Sequence, residues 1–271
     1  MANTQRILTL YFSGTGNTKF IAELFSREMG ATCISIEAEV DFVQEIKACD
    51  IIAFCYPIYG SRVPRNMREF VARYMGDING KKIIIFVTQM LFSGDGARVF
   101  TDMFWDGAIE VIYAEHFKMP NNVSNVIIFR KQSEKKLRRY VTEAEKKMFE
   151  VCRDINSGIV KKRGFSWFSQ ILGGIQGKSW QGSSKEIYPD TSSVEYKAKT
   201  GVKIRRNCNV CNLCVNSCPV YNLANINGKI KPLGNCIVCY RCVNKCPKRA
   251  VTVLYHKKPK WQYEGVNRIE R

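Results

Sequence analysis

Eight of the chain's twelve cysteines lie between Cys208 and Cys246 in two copies of the pattern Cys-x-x-Cys-x-x-Cys-x-x-x-Cys-Pro. Each cysteine of the first copy has a counterpart 28 positions later, which indicates one structural unit used twice. Three thiolates at this spacing can surround one iron–sulfur cubane. The first copy is Cys208, Cys211, Cys214 and Cys218, and the second is Cys236, Cys239, Cys242 and Cys246.

Structural zinc is the competing assignment, because paired Cys-x-x-Cys units also form tetrahedral zinc sites. Three evenly spaced cysteines followed by a fourth before proline fit an iron–sulfur cluster better, and the second copy repeats the same spacing. The sequence therefore predicts two [4Fe–4S] clusters.

This cysteine-rich region resembles the bacterial two-cluster ferredoxins, small α+β proteins. In that family the fourth cysteine of each motif ligates the cluster of the other motif. The resemblance implies two ligand sets, one of Cys208, Cys211, Cys214 and Cys246 and the other of Cys236, Cys239, Cys242 and Cys218.

A second group of residues that could do chemistry is the loop Ser13-Gly14-Thr15-Gly16-Asn17-Thr18. It follows an apolar run and precedes residues with helical spacing, so it should join a strand to the N-terminus of a helix. Backbone amides and hydroxyl groups at such a helix end bind phosphate well. The loop contains no lysine, unlike a nucleotide-triphosphate loop, and an ordinary strand-to-helix turn is the alternative.

Apolar runs and helical spacing alternate along the first 160 residues. The runs lack a polar alternation, as expected of parallel strands that are covered on both faces. Together they predict a doubly wound parallel sheet of five strands. The expected strands are 6–12, 33–36, 51–56, 83–88 and 109–113, and the expected helices are around 20–25, 40–48, 65–74 and 137–155.

The glycine loop and this alternation resemble the flavodoxins, over about residues 4 to 158. The resemblance implies strand order 2-1-3-4-5 and an FMN molecule at the switch point between strands one and three. It assigns the loop to the FMN phosphate, Tyr59 and Phe92 to the flavin ring faces, and Gly94, Asp95 and Gly96 to its edge. The full predicted cofactor-binding set is Ser13, Gly14, Thr15, Gly16, Asn17, Thr18, Pro57, Tyr59, Gly60, Phe92, Ser93, Gly94, Asp95 and Gly96.

The whole chain is similar to fused flavodoxin–ferredoxin electron carriers, with three predicted segments. Residues 1–160 would form an FMN-binding domain, 161–200 a linker or interdomain segment, and 201–271 a ferredoxin-like domain with a basic tail. In the linker segment, apolar residues from Phe165 to Ile175 have helical spacing and follow three basic residues. We expect them to pack one domain onto the other; contact with a membrane surface and a mobile linker are the alternatives.

Charge and cysteine content bear on partners and location. The net charge is +18, and residues 201–271 contain fourteen Lys or Arg against two Glu. This predicts a redox protein partner with an acidic surface; no nucleic-acid recognition motif accompanies the charge. No apolar run could span a bilayer, and Arg6 leads straight into a strand-like run without a signal-peptide pattern. We therefore expect a cytoplasmic protein in which Cys33, Cys49, Cys55 and Cys152 serve packing.

These observations predict an electron transfer protein that uses FMN and two [4Fe–4S] clusters. An FMN and iron–sulfur reductase of a small molecule is the main alternative, although no acid or base for a substrate is evident. A nucleic-acid-binding regulator that senses through a cluster rests on charge alone.

Overall fold

The computed structural model describes residues 5–126, 129–182, 190–254 and 256–266. Part of the predicted linker, residues 183–189, lies outside this set. None of the helices in the described part of the chain is long and apolar enough to cross a membrane.

A parallel sheet of six strands, in the order β2-β1-β3-β4-β5-β6, organises the first half of the chain. Strands β3 and β4 are central and apolar on both faces, as the uninterrupted runs predicted. The strands are β1 (Ile7–Tyr11), β2 (Thr32–Ser35), β3 (Ile51–Pro57), β4 (Lys82–Gln89), β5 (Glu110–Lys118) and β6 (Lys161–Lys162).

Two differences from the five-strand prediction concern the edge of this sheet. Strand β5 continues to Lys118, beyond the predicted end at residue 113. The prediction ended too early because the buried polar residues Glu115 and His116 interrupt the apolar pattern of the strand. The sixth strand, β6, pairs with β5 and consists of two exposed lysines, so no hydrophobic pattern announces it. The order 2-1-3-4-5 of the first five strands is confirmed.

Helices cover both faces of the sheet and bury a separate apolar core on each. Phe42, Met67 and Phe70 belong to the core on one face, and Phe25 and Met148 to the core on the other. A short 3-10 helix, Arg98–Met103, adds to the first face. The α-helices of this region are α1 (Asn17–Met29), α2 (Phe42–Lys47), α3 (Arg65–Ile78) and α4 (Glu134–Asn156).

Two further helices follow β6 and lead to the cysteine-rich region: α5 (Trp167–Gln181) and α6 (Val194–Thr200). The prediction of a helix after Phe165 is confirmed. The prediction that its apolar side chains pack between domains is wrong for Phe168, Ile171 and Ile175, which are exposed. Glycines occupy the buried face of α5 instead, because the helix lies too close to its neighbours for larger side chains.

The cysteine-rich region consists of two interlocked halves. Each half contributes one strand to each of two antiparallel sheets, β7 with β10 and β8 with β9. The sequence repeat reappears in the structure, since helices α7 and α8 begin 28 residues apart. The elements are β7 (Val202–Ile204), α7 (Leu213–Asn216), β8 (Leu223–Ile226), β9 (Lys229–Pro232), α8 (Arg241–Lys245) and β10 (Val251–Val253).

The four cysteines outside the two motifs lie in the cores of the parallel-sheet region. Cys49, Cys55 and Cys152 are buried and Cys33 is half-buried. Burial raises the pKa of the Cys55 thiol well above its ordinary value, so it stays protonated. Their predicted role in packing is confirmed.

Candidate functional site

A cavity of about 670 Å³ opens where the loops after β1, β3 and β4 meet, at the carboxyl ends of the strands. This volume lies within the range of small-molecule sites. The predicted cofactor-binding residues that line it are Ser13, Gly14, Thr15, Asn17, Thr18, Pro57, Tyr59, Gly60 and Phe92.

The glycine loop leads directly into helix α1. Gly16 has φ of 102° and stands at the N-cap position, where no side chain caps the helix. The uncapped amides of the first turn, together with the helix dipole, can therefore accept an anion. Gly16 itself lines a neighbouring cavity.

Side chains of the loop are held in place by distant parts of the chain. The Thr18 hydroxyl lies 2.7 Å from that of Thr88 at the end of β4. Asn122 donates a hydrogen bond of 2.9 Å to the Thr15 hydroxyl, and the Tyr263 hydroxyl lies 2.6 Å from Asn17 Oδ1. The loop is thus preorganised before any ligand binds.

Two buried polar atoms at the cavity wall have no hydrogen-bond partner among the residues that the structure describes: the Tyr59 hydroxyl and Gln89 Oε1. Burial raises the pKa of Tyr59 well above its ordinary value, so the group is a neutral donor. Buried polar groups normally have partners. A ligand with polar groups therefore fits this cavity better than a purely apolar one.

The predicted residues from Ser93 to Gly96 follow β4 but do not line the cavity. The Ser93 hydroxyl lies 2.5 Å from His116 Nδ1, and Asp95 accepts hydrogen bonds of 3.0 and 2.8 Å from Arg98. Helix α5 packs onto Gly94 through Gly173. These contacts direct the side chains of this turn into the protein, and their assignment to a flavin edge stays a prediction.

The two cysteine motifs have the same unusual backbone. Val210, Asn212 and Tyr221 have positive φ, and so do their counterparts 28 residues later, Val238, Tyr240 and Arg249. Non-glycine residues adopt this conformation rarely and at a cost of about 1–3 kcal/mol each, and such strain is concentrated at functional sites.

This backbone directs amide groups at the cysteine sulfurs. Val210 N donates to Cys208 Sγ at 3.4 Å, and Val238 N donates to Cys236 Sγ at 3.3 Å. Asn222 N and Ala250 N donate in the same way to Cys218 and Cys246, at 3.1 and 3.2 Å. Amide donors of this kind stabilise thiolate, the form of cysteine that binds metal.

Thiols of one motif influence the pKa values of thiols in the other motif. Burial, followed by the nearby Cys246 and Cys208, raises the pKa of Cys214 to about 11. Burial, followed by Cys239, Cys236, Cys218 and Cys214, raises the pKa of Cys242 well above its ordinary value. Within the described residues, however, no three Cys, His, Asp or Glu side chains form a group that could hold a single metal ion.

Comparison with known proteins identifies the first half of the chain. Residues 8–142 match the family described as flavodoxin domain. The chain therefore contains a flavodoxin-like domain. No curated protein matches the sequence.

Solved structures similar to this chain include several flavodoxins. An archaeal flavodoxin shares 16% identity, with 56% of this chain and 99% of the other covered and a TM-score of 0.40. The two-electron reduced Megasphaera elsdenii flavodoxin shares 21% identity over 52% and 98% of the two chains, with a TM-score of 0.38. Oxidised flavodoxin 2 from Bacillus cereus shares 16% identity over 55% and 99%, with a TM-score of 0.39.

The second cysteine motif packs directly onto the glycine loop of the flavodoxin-like domain. A Cβ atom added to Gly14 would collide with the backbone carbonyl of Cys239, so only glycine permits this approach. Val238 and Tyr240, on either side of Cys239, line the cavity. The loop of Cys239 therefore forms part of the cavity wall.

Arg241 connects the same two regions and was not predicted from the sequence. Its guanidinium donates to the carbonyl oxygens of Ser13 and Gly14, at 2.7 and 3.1 Å, and to both carboxylate oxygens of Glu37 at 2.7 Å. Burial opposes its charge, but the bonds to Glu37 outweigh burial and raise the pKa of Arg241. Only its position inside the second cysteine motif distinguishes it in the sequence.

Trp180 and Asn122 are two further cavity residues that sequence reasoning missed. Trp180 lies in α5 and reaches Gly60, while Asn122 lies in the connection after β5 and holds Thr15. Neither belongs to a motif, so no local signal distinguishes them.

Proposed function

We propose that this protein transfers electrons between external redox partners and that its cofactors are one FMN and two [4Fe–4S] clusters. The observation that carries the proposal is the contact between the loop of Cys239 and the glycine loop at Gly14. It brings the second cysteine motif to the wall of the cavity of the flavodoxin-like domain. Such proximity is what electron exchange between two cofactors requires.

FMN fits the cavity on three grounds. The uncapped end of α1 with Thr15 and Thr18 offers phosphate donors, and Tyr59 and Gln89 offer unpaired polar atoms. The flavodoxin-like fold supports the same ligand. When bound, FMN would supply both one- and two-electron redox chemistry. The chain's own residues would hold the phosphate, position the ring and exclude water, and Trp180 is one of the residues that line the cavity.

Two clusters fit the cysteine motifs. The paired positive φ values and the four amide-to-sulfur bonds make the two halves equivalent, as two like cofactors require. The crossed neighbours Cys214–Cys246 and Cys242–Cys218 favour exchange of the fourth ligand between motifs. We therefore propose a ferredoxin-like domain with the ligand sets Cys208, Cys211, Cys214 and Cys246, and Cys236, Cys239, Cys242 and Cys218.

We infer different roles for the two clusters from the surroundings of their ligands. Cys239 is buried against the flavodoxin-like domain, whereas Cys211 is exposed. The site of Cys211 would thus meet the external partner. The excess of basic residues after position 201 would steer an acidic redox protein towards it, in the cytoplasm, where free thiols persist.

The first test is composition. Protein purified without oxygen should contain close to eight iron, eight sulfide and one FMN per chain. Stoichiometric zinc without sulfide would refute the cluster assignment. FMN should also bind far more tightly than riboflavin, since the loop addresses the phosphate; equal affinities would refute the phosphate site.

A pair of glycine variants tests the contact itself. Gly14→Ala should weaken FMN binding about tenfold or more, because the added methyl group must displace the backbone of Cys239. Gly76→Ala, in α3, meets no atom within 4 Å and should leave FMN binding unchanged. Equal FMN affinity in both variants would contradict the role given to this contact.

A small-molecule reductase is the second candidate. The observation that favours it is that the cavity continues from the glycine loop to apolar side chains such as Val126, Phe129 and Leu254. Turnover of a small acceptor with saturation kinetics, lost when Phe129 is replaced but not when cluster content is changed, would favour this alternative over a carrier.

A further inference from the structure

Helix α5 exposes the apolar side chains that an ordinary surface helix would bury. Four large apolar side chains on it are exposed: Trp167 by 70%, Phe168 by 61%, Ile171 by 49% and Ile175 by 70%. An amphipathic helix of a water-soluble domain normally buries such residues. Here the buried positions are Gly173, Gly177 and Gln181.

The contacts on the inner side fix this orientation. A side chain at Gly173 would collide with Asp95, and one at Gly177 with the guanidinium of Arg62. The Ser61 hydroxyl also donates a hydrogen bond of 2.5 Å to Gln176. If α5 rotated to bury its apolar face, these contacts would break. The larger side chains would also not fit into the space that the glycines now occupy. The packing of the inner side of α5 therefore requires the apolar face to be exposed.

The charged residues of the chain segment that carries this face are all basic. Residues 157–182 contain no Asp or Glu. Lys161, Lys162 and Arg163, just before the helix, are exposed, and Lys178 lies within it. Ile159 and Val160, which precede these basic residues in the sequence, are also exposed, by 50% and 62%.

We propose that the outer face of α5 and its basic flank dock on the surface of an anionic phospholipid membrane. Aromatic and aliphatic side chains that enter the acyl boundary, with Lys and Arg beside them, are the recognised composition of interfacial helices. Anionic headgroups attract the basic residues at short range. A second copy of this chain is the less suitable occupant, because it carries the same basic flank and a net charge of +18.

Docking by this face has a structural consequence for the cavity. Gln176, Ser179 and Trp180 of α5 line it, so the helix that meets the membrane also forms a wall of the candidate FMN site. Docking would depend on this surface and not on the presence of the proposed cofactors.

Vesicle flotation of the full-length protein tests the proposal. The protein should float with vesicles of phosphatidylcholine and phosphatidylglycerol, and much less with vesicles of phosphatidylcholine alone. The double variant Trp167→Ser/Ile175→Ser should reduce binding at least about tenfold, since two large apolar side chains no longer insert. Lys161→Gln/Lys162→Gln should remove most of the preference for anionic vesicles.

The matched control is Trp105→Ser/Phe149→Ser, which replaces two side chains exposed by 64% and 66% outside α5. It should bind anionic vesicles like the unchanged protein. The proposal is overturned if the protein binds neither vesicle, or if the control loses as much binding as the α5 variant. It is also overturned if the α5 variant keeps its vesicle binding and instead abolishes a dimer seen by light scattering.

Discussion

The flavodoxin-like domain and the cysteine-rich region are held together in different ways. In the first, strands of up to nine residues bury large side chains such as Phe54, Phe86 and Tyr113 in two extensive cores. In the second, the helices have four and five residues and the strands three or four. Its core is small, and Cys214, Cys236 and Cys246 are among its buried members.

This difference shows where the stability of each region originates. Apolar burial of the first kind supports a fold by itself. Elements shorter than two helical turns are not stable alone, and strained backbone at Val210 and Val238 adds a further cost. Metal ligation can supply the missing free energy, since binding to a site absent from the unfolded chain stabilises the fold. The cysteine-rich region should therefore depend on the proposed clusters, and the flavodoxin-like domain should not.

The largest expected effect comes from removing two of the proposed cluster ligands. In Cys236→Ser/Cys239→Ser, residues 202–253 should lose on the order of 10 kcal/mol of local stability, because ligation no longer opposes the strain of the loops. Strands β3 and β4 should retain their protection. Hydrogen exchange, measured segment by segment on protein purified without oxygen, distinguishes the two regions.

Cys33→Ser provides the control for this prediction, since Cys33 is a half-buried cysteine outside the motifs. It should leave protection in residues 202–253 unchanged. If the ligand variant loses protection equally in β3 and β4, the two regions form one cooperative unit and the comparison fails.

A smaller effect is expected at the buried ion pair that joins α3 of the flavodoxin-like domain to α6, the helix before the cysteine-rich region. Arg68 on α3 donates to both carboxylate oxygens of Glu195 on α6, at 3.0 and 3.1 Å. Both residues are about 4% exposed. Glu195→Leu should lower the free energy of unfolding by about 3–5 kcal/mol, because it leaves the charge of Arg68 buried without this partner. Denaturant unfolding measures the change.

Two further variants sharpen this measurement. Arg68→Met/Glu195→Leu should recover much of the loss, since no buried charge remains. Glu143→Leu removes the partner of Arg139 in an exposed pair on α4 and should have no measurable effect. Equal destabilisation by Glu143→Leu and Glu195→Leu would mean that burial does not determine the cost.

The third expected effect is a pH dependence of the stability of the flavodoxin-like domain. Burial, assisted by the nearby Arg163 and Lys147 and opposed by Glu115, lowers the pKa of His116 from 6.5 to about 4. Between these values the unfolded chain binds a proton that the folded chain does not. Stability of the flavodoxin-like domain should therefore fall by about 3 kcal/mol as the pH drops from 6.5 to 4.

His116→Asn should flatten this pH dependence while it retains a polar partner for Ser93. The measurement is the free energy of unfolding at several pH values in apoprotein, so that cluster loss does not contribute. An unchanged slope in the variant would assign the pH dependence to other groups.

Several features of the fold were predictable because they depend on local pattern. The central strands β3 and β4 are continuous apolar runs, and α4 has a long helical repeat ended by a glycine. The C-terminal part of β5 and the two-residue strand β6 were not, since polar residues interrupt or form them and their pairing partners are distant in sequence.

The candidate site likewise has parts that were predictable from the sequence and parts that were not. The glycine loop and both cysteine motifs are identified by residue type and spacing, because their chemistry depends on a few neighbouring residues. The contacts of Arg241 with Ser13 and Gly14, 228 and 227 residues apart in sequence, follow from no local pattern. The exposure of Trp167 and Ile175 likewise depends on how closely α5 approaches Arg62 and Asp95.

The sequence by itself determined the parallel sheet with its glycine loop and the duplicated thiol pattern, since both follow from periodicity and spacing along the chain. Only the tertiary structure decided that the loop of Cys239 lies against Gly14 and that α5 presents its apolar face outward. The physical reason is that steric fit between surfaces far apart in sequence governs both outcomes, and the shape of such surfaces exists only once the chain has folded.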